Sequence, residues 1–182
     1  MSLLGMSYLN EIYSGSGLKI SPAEVLDSLK TSIIGALSQT GNVNETKDGF
    51  DIAVCVIDKS TMELQYAGAN HPVHIARNGE ILTLKPDRMP VGIYYRENKG
   101  FSNRVFKLLP NDVIYMYSDG FVDQPGGERG RKFLRKNFVE MLQHISNLPL
   151  PAQNEHVLNR LYEWQGNTYE QIDDIIVLAV KV

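Results

Sequence analysis

Residues 115–128 read YMYSDGFVDQPGGE, a stretch in which an apolar run ends abruptly in serine, aspartate and glycine. The run over 113–117 has the aromatic and β-branched composition of a buried strand. Asp119 therefore stands just beyond the carboxyl end of a predicted strand. One interpretation of such an aspartate is an ordinary turn residue. The other is a residue that is held there to meet a cation or a phosphate group.

A second acidic group lies far along the chain, where Asp173 and Asp174 precede residues 175–182, a strand by composition. If this strand pairs antiparallel with 113–117, the carboxylates of all three aspartates fall at one edge of the sheet. Crowded carboxylates repel one another and can recruit a cation. Oxygen ligands alone suit Mg²⁺ or Mn²⁺ rather than zinc, and Gly120 would let the backbone turn sharply beside the ion. The pattern by itself leaves the turn interpretation open.

Outward from these strands, the sequence predicts helices and strands in separate groups. Helical spacing predicts amphipathic helices over 2–13 and 22–38, with a break at 14–17 and a capping box formed by Ser21 and Glu24. Asn78-Gly79 is a strong signal for a β-hairpin. Further helices are predicted over 131–145 and after Pro151. Strands are predicted over 52–57, 63–68, 73–76, 81–84, 105–108, 113–117 and 175–182. This order indicates an α+β fold of mostly antiparallel sheet packed against helices.

Composition limits the functional classes. A chain of 182 residues with a net charge of −3 fits one globular domain over 1–182 and lacks the basic footprint of a nucleic-acid-binding protein. The single cysteine, Cys55, excludes an intrachain disulfide and fits a reducing cytosol, so we expect a cytoplasmic location. Its apolar neighbours predict a buried small side chain rather than a nucleophile. No apolar run reaches the roughly 18 residues of a membrane span, so no membrane insertion is expected.

Basic residues cluster between 129 and 136, beside the Asp119 turn. A solvated helix face is one interpretation of this cluster. The other is a surface that steers an acidic phosphoprotein toward the turn.

Five short motifs occur in order and together resemble the stage II sporulation protein E family of bacterial serine phosphatases, a branch of the metal-dependent type-2C phosphatases. The motifs are GFDIA at 49–53, YAGANHP at 66–72, MPVG at 89–92, YSDG at 117–120 and DDI at 173–175. The resemblance covers essentially the whole chain. It implies an α-β-β-α sandwich whose cleft binds Mn²⁺ or Mg²⁺, and whose metal-activated water attacks phosphoserine or phosphothreonine without a covalent intermediate.

By motif match, the resemblance implies that Asp119 and Asp173 are metal ligands and that Gly120 and Asp174 support them. It assigns no catalytic side chain and leaves the substrate-binding residues unknown. The usual substrate in the family is a phosphorylated anti-sigma-factor antagonist, a small regulatory protein. The family also carries early strands and a further aspartate that would bridge two metals, and this sequence shows neither. We therefore expect a sandwich that lacks its N-terminal strands, and weak or no activity for this chain.

An alternative of another class is a non-catalytic interaction module that keeps the phosphatase fold to dock a partner protein. Apolar surface left by absent strands would also make a homodimer an expectation.

Overall fold

The computed structural model describes residues 2–16, 20–40, 48–94 and 99–182. Within these ranges the helices are α1 Ser2–Ser16, α2 Pro22–Ala36, α3 Asp119–Asp123, α4 Arg135–Ile145 and α5 Leu150–Gln165. The strands are β1 Ile52–Asp58, β2 Glu63–Ala69, β3 Val73–Arg77, β4 Glu80–Leu84, β5 Arg104–Lys107, β6 Val113–Tyr117, β7 Pro125–Gly126, β8 Arg131–Lys132 and β9 Val177–Lys181. The predicted α+β class with antiparallel sheets is confirmed.

The chain divides into two compact units, Met1–Val73 with Leu84–Leu108 and His74–Thr83 with Leu109–Val182. In the first unit, three antiparallel strands lie in the order β1-β2-β5. Helix α2 begins at the predicted capping box, in which Ser21 and Glu24 bond reciprocally. Its apolar face packs on this sheet, because the buried side chains of α2 form one cluster with Val54, Ala67 and Ala69. The cluster's α2 members are Ala23, Val25, Leu26, Leu29 and Ile33.

In the second unit, four strands lie in the order β4-β3-β6-β9. The turn between β3 and β4 is Asn78-Gly79, whose φ angles of 52° and 82° are those of the two-residue hairpin turn that the sequence predicts. Helices α4 and α5 cover this sheet. Their buried residues share a core with strand residues, among them Phe138, Leu142 and Val157 on the helices and Tyr115 and Tyr117 on β6. Each unit thus has one helical layer on one antiparallel sheet, the layers expected of an α-β-β-α sandwich.

One buried ion pair fixes the turn that leads into β6. The carboxylate of Asp112 is 1% exposed and accepts from Arg77 Nε at 3.0 Å and Nη2 at 2.6 Å. It also accepts from the backbone N–H of Leu109 at 2.9 Å. Two-pronged guanidinium–carboxylate bonds are among the stronger polar contacts in proteins. The start of β6 is therefore held to the end of β3.

The boundaries of several elements differ from the sequence predictions. Helix α1 continues through residues 14–16 of the predicted break and ends at Ser16. Residue 17, the last of that break, lies outside the described residues. Helix α4 begins at Arg135 rather than at 131. Gly130 and Leu134 both have positive φ, and a right-handed helix cannot pass through such residues. Residues 119–123, where a turn was one interpretation of Asp119, form a short helix. None of the described helices is both long and apolar enough to cross a bilayer.

Candidate metal centre

The acidic turn lies where strands β6 and β9 pair. The two strands are antiparallel, and Tyr117, the last residue of β6, pairs with Val177, the first residue of β9. Asp119 therefore follows one strand, and Asp173 and Asp174 precede the other, at the same end of the pair. The antiparallel pairing on which the sequence prediction depended is confirmed, so the two acidic segments meet although more than fifty residues separate them.

Ser118 ties the two acidic segments together. Its backbone N–H donates to the carbonyl of Ile176 at 2.9 Å. Its hydroxyl donates to the carbonyl of Asp174 at 2.7 Å and accepts from the N–H of Ile176 at 2.9 Å. The hydroxyl thus takes the place of a backbone partner, which is why regular pairing begins at Val177 rather than at the predicted residue 175. We call this set of bonds the Ser118 clamp.

Because the Ser118 side chain bonds to the segment before β9, it does not cap helix α3. Ser118 is the N-cap residue of α3, but its side chain makes no capping bond within that helix. Aromatic packing holds α3 in place instead. Phe121 is fully buried and meets the rings of Phe133 and Phe138 with centroids 5.2 and 5.0 Å apart. The position of Asp119, the first residue of α3, is therefore set by a buried ring on one side and the clamp on the other.

Gly120 is required by close backbone approach. A Cβ at this position would lie well inside van der Waals contact of the Asp174 carbonyl oxygen and 3.0 Å from the Asp174 carbonyl carbon. The sequence predicted glycine here for a sharp turn. The structure gives a different reason, namely that the chain before β9 passes directly over residue 120.

The carboxylates of Asp119, Asp173 and Asp174 are all exposed to solvent. An Asp173 carboxylate oxygen accepts from the N–H of Asp174 at 2.7 Å, and the Asp173 carbonyl accepts from Gln171 Nε2 at 2.8 Å. An open depression of about 330 Å³ is lined by residues 171–174. Exposed carboxylate oxygens at one sheet end are the donor chemistry that Mg²⁺ or Mn²⁺ prefers. Within the described ranges, however, no three His, Cys, Asp or Glu side chains are arranged to hold a metal ion. The described residues thus bring two acidic segments to one end of the sheet but do not by themselves enclose a metal ion.

Sequence reasoning missed a polar network behind the clamp. His74 is 1% exposed; its Nδ1 lies 2.9 Å from Thr83 Oγ1 and its Nε2 lies 3.4 Å from the Tyr117 hydroxyl. Burial raises the pKa of Tyr117, while the charge of Arg135 and its bond to the phenol oppose that shift. The phenol of the residue just before the clamp therefore stays protonated at neutral pH. No local sequence motif predicts this network, because its members come from different strands and a helix.

The other three motifs lie mainly in the first unit and are structural there. Tyr66 reaches across Gly68, and its hydroxyl donates to the His71 carbonyl at 2.6 Å, so a side chain at residue 68 would collide with the phenol. Phe50 and Val91 exchange backbone bonds of 2.9 and 3.2 Å, which join GFDIA to MPVG. These motifs specify close packing of backbone segments.

Solved structures share this fold. The SiaA-PP2C domain of Pseudomonas aeruginosa matches with a TM-score of 0.84 and 28% identity, over 99% of this chain and 68% of that one. The PP2C phosphatase domain, with a fragment of the regulatory domain, of SpoIIE from Bacillus subtilis matches at 0.69 and 14%, over 97% and 49%. The RsbU and RsbW domains of a Mycobacterium tuberculosis protein match at 0.68 and 20%, over 97% and 46%. The chain thus spans about half the length of the last two.

The family model for stage II sporulation protein E (SpoIIE) matches residues 2–182. The chain belongs to this family, whose members are PP2C-type protein serine/threonine phosphatases, a metal-dependent class. No curated protein matches the chain. The resemblance that the five sequence motifs indicated is therefore confirmed.

Proposed function

We propose that this chain is the phosphatase part of a bacterial signalling protein. Its reaction is the metal-dependent hydrolysis of phosphoserine or phosphothreonine on a small regulatory phosphoprotein of the anti-sigma-factor antagonist type. The main support is the Ser118 clamp, which joins the Asp119 segment to the Asp173–Asp174 segment in a chain of this family. Exposed carboxylates at one end of a sheet that form no ion pair with the described residues are suited to a divalent cation rather than to direct contact with an anionic phosphate.

In this proposal Asp119 and Asp173 hold Mn²⁺ or Mg²⁺. Asp174 supports them through its carbonyl bond to Ser118, and Gly120 supports them by admitting the Asp174 backbone. When bound, such a metal lowers the pKa of a water molecule and neutralises charge on the phosphoryl group. The protein's own part is positional, because fixed carboxylates determine where the cation, and with it the phosphate, can lie. No side chain of this chain is assigned as a nucleophile or a general acid.

We infer that residues 1–182 by themselves bind Mn²⁺ weakly and turn over slowly. Two exposed carboxylates at one sheet end leave a cation largely hydrated, and the proposed chemistry needs a more fully enclosed ion. Among the described residues, no three His, Cys, Asp or Glu side chains are placed to hold a metal ion together. A non-catalytic docking module would have the same fold but would have no need of the carboxylates.

The test is Mn²⁺ binding, followed by the electron paramagnetic resonance signal of free Mn²⁺, together with the hydrolysis of an aryl phosphate. We expect weak binding that Asp119→Asn and Asp173→Asn each reduce further. Asp123→Asn is the matched control, since this carboxylate lies on the same short helix but is paired with Lys132 at 2.7 Å. Binding unchanged by both ligand variants would exclude the proposed metal site. Efficient hydrolysis that Asp119→Asn abolishes would overturn the inference of slow turnover and strengthen the assignment of the site.

The proposal includes a cytoplasmic location, which suits a regulatory phosphoprotein substrate and a single thiol. It also includes a homodimer, supported by exposed apolar side chains around β9. Leu178 is 49% exposed, and Ile172 and Ile176 are about two-thirds exposed. Sedimentation of the purified chain over a range of concentrations tests the dimer, and a monomer mass throughout would exclude it.

A further inference from the structure

A basic segment lies beside the candidate metal centre, and its structure differs from the helix face that was one interpretation of the sequence. We call residues 125–136 the basic hairpin: β7, a tight turn, β8 and the first residues of α4. All five of its basic side chains are exposed, in a chain whose net charge is −3. They are Arg129, Arg131, Lys132, Arg135 and Lys136.

The basic hairpin is built on a rigid support. The N–H of Gly127 donates to the Trp164 carbonyl at 2.8 Å, and the Trp164 indole N–H donates to the Gln124 carbonyl at 3.0 Å. A Cβ on Gly126 would collide with the Trp164 backbone, so the hairpin lies directly on the end of α5. Phe133 meets the Trp164 ring edge-on at 5.3 Å. The basic side chains therefore project from a backbone that is fixed at several points.

Part of this positive charge is not neutralised by nearby carboxylates. Lys132 pairs with Asp123 at 2.7 Å, and Lys136 is 3.8 Å from Glu140. Arg135 bonds to the Tyr117 phenol. Arg129 and Arg131 form no ion pair with any residue in the described ranges. Two guanidinium groups therefore remain available to an anionic partner, and guanidinium binds carboxylates in two-pronged geometry.

An exposed apolar residue lies within the same surface. Leu134 has φ 74° and ψ 143°, a conformation that residues other than glycine rarely adopt. Its side chain is nevertheless 55% exposed. The backbone is held there by bonds of 3.0 Å from Phe133 N–H to Gln124 O and 2.7 Å from Leu134 N–H to Val122 O. The fold thus tolerates strain at a position where leucine contributes little to the core, which suggests that the side chain serves a contact outside this unit.

The basic hairpin also lies close to the proposed reaction site. Asp123, the partner of Lys132, is the last residue of α3, and Asp119 is its first. At 1.5 Å of rise per residue, these two positions are about 6 Å apart along the helix axis. We call the sheet end with Asp119, Asp173 and Asp174 the acidic edge. A bound peptide could therefore reach both the acidic edge and the basic hairpin.

We propose that the basic hairpin docks an acidic segment of the phosphoprotein substrate, with arginines binding its carboxylates and Leu134 contacting an apolar residue. This inference rests on the proposed function for the identity of the partner. Charge complementarity supports it, because a cation at the acidic edge would take the phosphate while the neighbouring arginines take the flanking acids. Electrostatic docking of this kind chiefly sets encounter rate and specificity.

The test measures binding rather than turnover, so that it remains informative if the chain is inactive. The probe is a fluorescein-labelled phosphoserine peptide with aspartate, glutamate and one leucine beside the phosphoserine, and binding is followed by anisotropy in EDTA at low salt. We expect the double variant Arg129→Glu/Arg131→Glu to weaken binding about tenfold. The matched control Lys59→Glu/Lys85→Glu makes the same change in net charge at exposed residues elsewhere, and we expect an effect of less than about twofold.

A second variant tests the apolar contact without changing charge. Leu134→Gly removes the side chain and suits the positive φ, so we expect a urea midpoint that is not lowered and peptide binding weakened about threefold. Equal weakening by both charge variants, or by neither, would overturn the proposal. Displacement of the peptide by a single-stranded oligonucleotide as readily as by an unlabelled acidic peptide would assign the surface to nucleic acid instead. A failed metal test would leave these results unaffected, because no metal is present in the assay.

Discussion

Gly120 shows how strictly single residues are specified near the acidic edge. Its hydrogen lies against the Asp174 backbone, in space that no side chain can share. We expect Gly120→Ala to push the Asp173–Asp174 segment away and to destabilise the protein by about 1–3 kcal/mol. Urea unfolding measures this change, and the Mn²⁺ titration shows whether the displaced carboxylates bind less well.

Gly35→Ala is the control for that substitution. Gly35 lies in helix α2, and a Cβ there meets nothing within 4 Å. Alanine should therefore leave stability unchanged or raise it by up to about 1 kcal/mol through helix propensity. If the two alanine variants had the same stability, the close contact at residue 120 would not constrain the protein.

Cys55, whose side chain is partly buried, illustrates the opposite situation, in which desolvation makes a residue unreactive. Removal from water raises the pKa of the Cys55 thiol to about 12, from an ordinary value of 9.0. The neutral thiol therefore predominates in the folded protein throughout pH 7–9, and the thiolate is the reactive form. We expect iodoacetamide to label the native protein slowly and with little pH dependence over that range. The urea-unfolded chain should react faster as the pH rises, and equally steep profiles in both states would contradict this expectation.

At the scale of elements, the end of β6 and the start of β9 are joined by a side chain. The Ser118 hydroxyl accepts from the Ile176 N–H and donates to the Asp174 carbonyl. We expect Ser118→Ala to cost about 1 kcal/mol, since both freed backbone groups lie where water can reach them. The larger effect should be local, namely faster hydrogen exchange at the Ile176 amide while the amides of β9 keep their protection.

Ser118→Thr keeps the hydroxyl and serves as the matched control for that experiment. We expect its Ile176 amide to exchange at nearly the wild-type rate. Fast exchange at Ile176 in the wild-type protein would show that the clamp is not formed in solution.

At the scale of the whole molecule, the chain path links the two compact units. Residues 74–83 belong to the second unit, yet the segments on either side of them belong to the first. Neither unit is one continuous stretch, so neither can be separated by a single cut. We therefore expect residues 1–182 to unfold as one domain, with calorimetric and van't Hoff enthalpies that agree. Two resolved transitions would instead assign each unit its own stability.

The sequence by itself determined the order and class of the main elements, because periodicity and turn chemistry are local. Asn78-Gly79 predicted its hairpin, and Ser21 with Glu24 predicted the start of α2. The sequence also indicated that the acidic segments meet, since composition marks both strands and antiparallel pairing places their ends together. It could not predict that helix α4 begins at Arg135, because the surrounding fold imposes the positive φ of Leu134.

Only the tertiary structure decided which residues hold the acidic edge in place. The Ser118 clamp, the ring packing of Phe121 and the contact over Gly120 join residues that are dozens of positions apart. The tertiary structure also decides that residues 131–132, predicted as helical, form a strand of a hairpin that packs on Trp164. Such contacts depend on how close a side chain comes to backbone far away in the sequence. Local sequence patterns do not specify that spacing.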